Sequence, residues 1–249
     1  MQGPLMKKNA RKIIRLIAAI ALVISLGILA VYLIGDIRDA RIAKQLEDLK
    51  NSEAALPDVL DEYAALVEEN PDTIGWLKID DTPIDYVVMQ TPDDANKYLH
   101  ADFYGNYSYR GCLILDDRCD VLRSDNLTIF GHNMKDGSMF GDLLYYKDKS
   151  YYEQHKIISF DSIYEKHTYE VVAAIYTRIP GNEVEAFRYY RYSGIDDKEM
   201  FEQYKQFIKE NREYETGVEL QDGDKILTLS TCAYHTDNGR FIVVARQIT

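Results

Sequence analysis

The spacing of apolar residues divides the chain into three parts, and the first is an apolar run without a formal charge at residues 16–34. At about 1.5 Å per helical residue, this run matches the roughly 30 Å apolar thickness of a bilayer. It predicts a transmembrane helix. A cleaved secretory signal is the alternative, which is disfavoured because the run is long and no small-x-small cleavage site follows it.

In the second part, residues 35–70, apolar side chains recur at helical spacing. One stripe lies between residues 36 and 50. The next runs through Val59, Leu60, Tyr63, Leu66 and Val67. Pro57 suits the first turn of this second helix, and Pro71 predicts its end at Asn70. Apolar stripes need cover, so we predict a helical linker and a helical pair that packs on the following domain, rather than a plain stalk.

In the third part, residues 71–249, the apolar period shortens to that of β-strands. Segments rich in Val, Ile, Tyr and Thr are bounded by Asp, Gly, Asn and Pro. The predicted strands are residues 74–79, 84–89, 112–115, 127–130, 157–160, 169–178, 225–231 and 241–248. A long helix is predicted between two late strands, where Asp196 and Glu199 resemble a capping box. The fold class is mainly β with peripheral helices, as a closed barrel or a sandwich.

Charge is distributed unevenly along the chain. Residues 1–15 hold five basic side chains and no acid, which predicts a cytoplasmic tail. All 41 acidic residues and 24 of the 29 basic ones lie after residue 35. The predicted topology is therefore a single-pass membrane protein with an acidic domain outside the cell, and the acidity argues against nucleic acid as a partner.

The candidate chemistry lies where two late strands meet. Cys232 ends one apolar β-rich run, and Arg240 opens the next. If these strands are antiparallel neighbours, Arg240 lies beside Cys232, whereas Arg246 lies roughly 20 Å further along. A thiolate can attack a carbonyl, and a guanidinium can stabilise the resulting oxyanion. From composition alone, a surface arginine is the alternative for Arg240.

A reactive cysteine needs a proton partner, and His132 is the best candidate because it follows a strand and Gly131 on a rigid scaffold. His235, in the loop after Cys232, is a weaker candidate. The remaining histidines have ordinary surroundings in the sequence; they are His100, His155 and His167. The number of cysteines is odd, and a bridge between Cys112 and Cys119 stays open.

Three motifs, in this order along the chain, resemble those of sortases, the membrane-anchored cysteine transpeptidases of Gram-positive bacteria. They are Phe130-Gly-His132-Asn-Met, Thr228-Leu-Ser-Thr-Cys232 and Gly239-Arg240-Phe-Ile-Val-Val. Residues 70–79 and 84–90 are similar to the opening of the class B group, and so is the helix near 196–211. The resemblance covers about residues 55–249. It implies an eight-stranded sortase-type barrel as a catalytic domain over residues 71–249.

The resemblance also implies a reaction. Cys232 attacks the Thr carbonyl of a C-terminal sorting motif, Arg240 stabilises the oxyanion, and His132 is the general acid and base. An amine of the peptidoglycan precursor then resolves the thioester, without a metal or cofactor. The residues expected to bind substrate beside these are Ser230, Thr231 and Asn133. Class B members tend to prefer Asn-Pro-type sorting motifs over Leu-Pro ones.

Two other functions stay open. A cell-wall cysteine peptidase lets water resolve the thioester, but such enzymes usually place the cysteine at a helix N-terminus, which lowers its pKa. A non-catalytic anchored surface module leaves the Cys–His–Arg set unexplained. Ala233 follows the cysteine where some class B members carry an acid, and this difference concerns substrate preference.

Overall fold

The computed structural model describes residues 57–181, 187–194 and 197–249, together with the helical positions 25, 27 and 29. The chain divides into two units after Pro57, and the second unit, Asp58–Thr249, contains the barrel and its helices. The predicted basic tail, the first N-terminal helix and, apart from those three positions, the predicted membrane anchor lie outside the described residues. Among the residues that are described, no helix is both long and apolar enough to cross a membrane.

Each of the eight predicted strands is present in the described part of the chain. The strands are β1 Thr73–Lys78, β2 Asp85–Met89, β3 Leu113–Leu115, β4 Asn126–Phe130, β5 Ile157–Ser162, β6 Lys166–Arg178, β7 Ile226–Cys232 and β8 Gly239–Gln247. They close into a barrel in the order β1-β2-β3-β4-β7-β8-β6-β5. The prediction of an eight-stranded barrel is therefore confirmed, and the sandwich alternative is wrong.

Most neighbouring strands are antiparallel, but β2 pairs with β3 and β4 with β7 in parallel. Parallel neighbours end at the same edge of a sheet. In the β4–β7 pair, Phe130 lies opposite Ser230. The residues that follow the two strands, which include His132, therefore emerge at one edge of the barrel.

All six residues of strand β7 that precede Cys232 are buried, because both faces of this strand are covered. Leu227 and Leu229 point into the barrel core. Ile226, on the opposite face, belongs to a second core that also contains Tyr204 and Ile208. The second core lies under the long helix, so this helix closes the outer face of β7 and β8.

Three α-helices lie in the described residues of Asp58–Thr249: α1 Asp61–Glu69, α2 Lys149–Gln154 and α3 Lys198–Asn211. Short 3-10 helices lie at Lys97–Leu99, Asp142–Lys147 and Tyr189–Arg191. Helix α3 is the long helix predicted between two late strands, here β6 and β7. The three 3-10 helices and α2 had no counterpart among the predicted elements.

Two predicted helix starts are wrong. Helix α1 begins at Asp61 and not at Pro57, because Leu60 is extended (φ −57°, ψ 136°) and its N–H donates to the Ile163 carbonyl at 2.8 Å. Helix α3 is capped by Asp197 and not by Asp196: the Asp197 carboxylate accepts a hydrogen bond from the Met200 N–H. That contact satisfies one of the donors left free in the first turn of a helix.

Candidate active site

Two hydrogen bonds join the ends of β4 and β7 beyond their last paired residues. The Gly131 N–H donates to the Ser230 carbonyl at 3.1 Å, and the Thr231 hydroxyl donates to the Gly131 carbonyl at 2.7 Å. His132 follows Gly131, and Cys232 follows Thr231. These two bonds therefore position the histidine and the cysteine on neighbouring backbone segments.

Gly131 allows this close approach because it has no side chain. A Cβ atom at this position would lie 2.5 Å from Leu113 Cδ2 and 2.6 Å from Phe140 Cδ2, well inside van der Waals contact. The motif Phe-Gly-His therefore has a packing reason for its glycine.

Cys232 lies directly opposite Arg240 in the antiparallel β7–β8 ladder, and Arg246 lies opposite Ile226 at the far end. The predicted register is confirmed. The Arg240 Nη1 donates to the Gly239 carbonyl at 2.9 Å. In the described part of the chain, no carboxylate pairs with this guanidinium. Its charge is therefore available to a group entering from solvent.

One cleft of about 320 Å³ brings Cys232, His132 and Arg240 together. Its floor consists of the ends of β4, β7 and β8. Its walls come from the segment around Leu99 and from the loop that follows β3, where Asp116 and Arg118 lie. The three side chains of the predicted catalytic set thus share one solvent-accessible space.

Cys232 is the reactive candidate among three free cysteines. Cys112 and Cys119 are buried, and burial raises the pKa of the Cys112 thiol to about 11 and that of Cys119 to about 12. Both are thus held in the unreactive thiol form. Cys232 is partly exposed in the cleft, and the bridge left open for the other two is not formed.

His132 is half-buried, and its pKa lies below the ordinary value, first because of burial and second because of the charge of His100. The two rings lie 5.5 Å apart between centroids. His132 Nδ1 is buried, and within the described structure it has no hydrogen-bond partner. At neutral pH the imidazole is therefore mainly neutral and able to accept a proton.

The neighbour His100 was missed from sequence, because nothing in the sequence links residues 32 positions apart in two different loops. The remaining histidines make contacts elsewhere. His235 packs edge-on against Tyr176 at 4.8 Å, and His155 stacks on Tyr151 at 4.1 Å. His167 lies beside Glu165.

The polar side chains of the three residues expected to bind substrate form hydrogen bonds within the protein. Ser230 is 1% exposed, and its hydroxyl bonds to the Tyr189 hydroxyl at 2.8 Å. Thr231 lies on the opposite face of the strand, as alternation requires, and its hydroxyl is bound to Gly131. Asn133 Nδ2 donates to the Cys232 carbonyl at 2.8 Å. These contacts hold together the segments that form the cleft. Direct contact of the three residues with substrate stays a prediction.

Two further groups near the cysteine were missed from sequence. Tyr189 is buried, and burial raises its pKa to about 12, opposed by the hydrogen bond between Tyr189 and Ser230 and by the charge of Arg240. On the cleft wall, Arg118 forms a two-pronged pair with Asp116, with Nε–Oδ1 at 2.7 Å. In an aromatic-rich segment such as residues 187–192, sequence alone does not distinguish Tyr189 from its neighbours.

No cluster of three or more His, Cys, Asp or Glu side chains is placed to hold a metal ion within the ranges that the structure describes.

Comparison with known proteins places the chain in a family. Residues 77–248 match the family model of the sortase domain. Sortase B of Listeria monocytogenes is 34% identical over 195 residues, which cover 77% of this chain and 76% of the relative. Sortase B of Staphylococcus aureus is 32% identical over 193 residues, which cover 75% of each.

Solved structures agree. The structure described as "Staphylococcus aureus sortase B-substrate complex" superposes with a TM-score of 0.67 and 29% identity, covering 82% of this chain and 91% of that chain. Fold and relatives together define a cysteine transpeptidase. The chain belongs to the sortase family, and the resemblance to its class B group is confirmed by the sortase B relatives.

Proposed function

We propose that this chain is a membrane-anchored transpeptidase of the sortase B type. It cleaves the C-terminal sorting motif of surface proteins after Thr and joins the Thr carboxyl to an amine of the peptidoglycan precursor. The observation that carries this proposal is the cleft in which Cys232 lies opposite Arg240 and beside the end of the β4 strand that presents His132.

The first step forms a thioester. The Cys232 sulfur attacks the Thr carbonyl carbon, and the carbonyl oxygen takes the negative charge in the tetrahedral intermediate. Arg240, which the β7–β8 register places opposite the cysteine, stabilises that oxygen. As the thiolate forms, neutral His132 takes the Cys232 thiol proton, and it donates that proton to the leaving amine when the C–N bond breaks.

The second step transfers the acyl group. An amine of the cell-wall precursor attacks the thioester carbon, and neutral His132 accepts the amine proton. The lowered pKa of His132 favours this neutral form. The thiolate of Cys232 leaves, and an amide bond joins the surface protein to the wall.

Substrate class and location are argued from similarity and from sequence. A similar solved structure is a complex of Staphylococcus aureus sortase B with substrate, which supports a sorting-motif peptide as the ligand of the cleft. The uncharged run at residues 16–34 and the basic residues before it support a single-pass protein with a cytoplasmic N-terminus and an extracellular catalytic domain. That domain then faces the peptidoglycan.

The main test uses the full chain purified in detergent micelles. It is incubated with peptides carrying Asn-Pro-type or Leu-Pro-type motifs, with and without a glycine or diaminopimelate amine, and products are identified by mass spectrometry. We expect a covalent adduct on Cys232 and an amine-dependent amide product. The matched variants are Cys232→Ala, which removes both, and Cys112→Ala, which retains both.

Two outcomes contradict the proposal. An adduct that survives Cys232→Ala means that another group is the nucleophile. Cleavage with water as the sole acceptor, at every amine concentration, instead indicates a cell-wall cysteine peptidase. The position of Cys232 at the end of a strand, rather than at a helix N-terminus, favours the transpeptidase over this second candidate.

A further inference from the structure

Three tyrosine side chains are exposed on one loop that joins two segments of the cleft wall. Tyr104, Tyr107 and Tyr109 are 70%, 81% and 72% exposed, and they lie within residues 102–111, which we name the tyrosine loop. Buried side chains in this barrel include many other tyrosines, so exposure is not general for this residue type. Clustered exposed aromatic groups on a loop are typical of a binding surface.

The tyrosine loop is held in one shape by its own hydrogen bonds. The Asp102 carboxylate accepts from the Tyr104 and Asn106 N–H groups, each at 2.9 Å. The Asp102 N–H donates to the Asn106 carbonyl at 2.8 Å, and Gly105 takes the positive φ of 80° that this turn requires. Because the backbone is ordered in advance, a ligand bound there incurs little additional ordering cost.

The loop connects two parts of the cleft. It follows Leu99, which lines the cleft, and His100, whose ring lies 5.5 Å from that of His132. It leads into β3, whose Ile114 lines the cleft again. The tyrosine loop therefore joins two segments that line the cleft, and it begins two residues after His100, the neighbour of His132.

A salt bridge fastens the loop. Arg110 Nη2 lies 2.7 Å from Asp136 Oδ2, and Asp136 belongs to the segment that follows His132. His132 is the group that receives the proton of the acceptor amine in the proposed second step. A bulky acceptor whose amine reaches His132 thus has the tyrosine loop next to it.

The chemistry of the loop favours a neutral, ring-shaped ligand. Residues 102–111 contain one acid and one base, so the loop carries no formal net charge. A tyrosine ring offers an electron-rich face to the C–H face of a sugar ring, and its hydroxyl can bond to sugar hydroxyls. Binding to an anionic membrane surface typically relies on a cluster of basic residues, and this loop has none.

We infer that the tyrosine loop binds the glycan portion of the acceptor peptidoglycan while the acceptor amine reaches His132. The inference rests on the proposed function for the identity of the acceptor. The loop is then a second substrate surface, separate from the one that takes the sorting motif.

Footprinting tests the surface without catalysis. The full chain, in liposomes and separately in detergent micelles, is treated with N-acetylimidazole. Acetylation of each tyrosine is measured by mass spectrometry with and without a neutral N-acetylglucosamine oligomer as the glycan. We expect glycan to reduce acetylation at the three loop tyrosines roughly fivefold. Tyr145, which is 52% exposed elsewhere, stays unchanged. Equal acetylation with and without glycan overturns the inference, and so does protection by liposomes alone, which indicates a membrane surface.

A kinetic comparison tests the role in transfer. The two acceptors are a disaccharide–pentapeptide and the same pentapeptide without sugar. In a variant with Tyr104→Ser, Tyr107→Ser and Tyr109→Ser, we expect KM for the sugar-bearing acceptor to rise about tenfold and KM for the bare peptide to stay unchanged. Tyr145→Ser is the matched control. An unchanged preference for the sugar-bearing acceptor in the triple variant contradicts the inference.

The two experiments separate this inference from the proposed function. If no amine-dependent product forms with either acceptor although the thioester does, the proposed transpeptidation fails, and with it the acceptor role of the loop. If transfer proceeds normally but glycan gives no protection, the proposed function stands and the glycan surface fails.

Discussion

Arg240 and Arg246 lie on the same face of strand β8, six residues apart, yet their surroundings differ. Arg240 lies opposite Cys232 and lines the cleft. Arg246 lies opposite Ile226 and donates to the Glu170 carboxylate at 3.2 Å. One guanidinium is thus held by an acid in the barrel wall, and the other faces an open space beside a thiol. The two residues are of the same type and lie on the same strand. Their register alone makes Arg240 a candidate catalytic group and Arg246 a structural one.

Exchanging each arginine for lysine is the strongest test of this comparison. We expect Arg240→Lys to lower kcat about a hundredfold, because a point charge replaces a planar donor aimed at the oxyanion. Arg246→Lys keeps the charge facing Glu170 and changes kcat less than about twofold. Steady-state kinetics with a sorting-motif peptide measure both. Equal losses in the two variants contradict the distinction.

Glycine substitutions test how tightly the open end of the barrel is packed. Gly131→Ala places a methyl group 2.5 Å from the Leu113 side chain, and we expect it to reduce the free energy of unfolding by about 1–3 kcal/mol. Among the described residues, no atom lies within 4 Å of the position that a Gly181 Cβ would take, so Gly181→Ala is the matched control with little effect. Urea denaturation followed by circular dichroism gives both values.

Two buried tyrosine–hydroxyl pairs along β7 sharpen the comparison between cleft and wall. Tyr189 bonds to Ser230, next to Cys232, at 2.8 Å, and Tyr204 bonds to Thr228, two residues earlier, at 2.7 Å. Removal of either hydroxyl costs about 1 kcal/mol of stability. We expect Tyr189→Phe alone to lower kcat/KM as well, by about fivefold. A loss of activity in Tyr204→Phe equal to that in Tyr189→Phe would show a general effect of packing.

The smallest expected effect concerns His132 and its neighbour His100, whose ring centroids lie 5.5 Å apart. In His100→Gln the pKa of His132 should rise, because the positive charge of His100, which disfavours a second proton nearby, is removed. Burial, the larger cause, remains, so the pKa of His132 stays below its ordinary value. NMR titration of the His132 Cε1–H resonance checks this. An unchanged titration curve shows that the rings do not interact.

The sequence located the strands well because each strand can be recognised from its own residues. The β7 run, rich in Leu and Thr, and the β8 run, rich in Val, are apolar enough to be recognised singly, and antiparallel pairing across a short loop placed Arg240 beside Cys232. The helix starts were less accurate. The extended segment before Asp61 is held by a bond to Ile163, about a hundred residues away in the chain, and propensity contains no information about such a partner.

The amino-acid sequence by itself determined the apolar run at residues 16–34, the eight strands, the candidate nucleophile Cys232 with Arg240 opposite it, and the family to which the motifs point. These follow from periodicity and short-range pairing. The tertiary structure decided what depends on strand order. The parallel pairing of β4 with β7 brings His132 to Cys232, and barrel closure brings His100 to His132 and Tyr189 to Ser230. These neighbours come from distant segments, and non-local contacts are set by the packing of the whole barrel rather than by local preference.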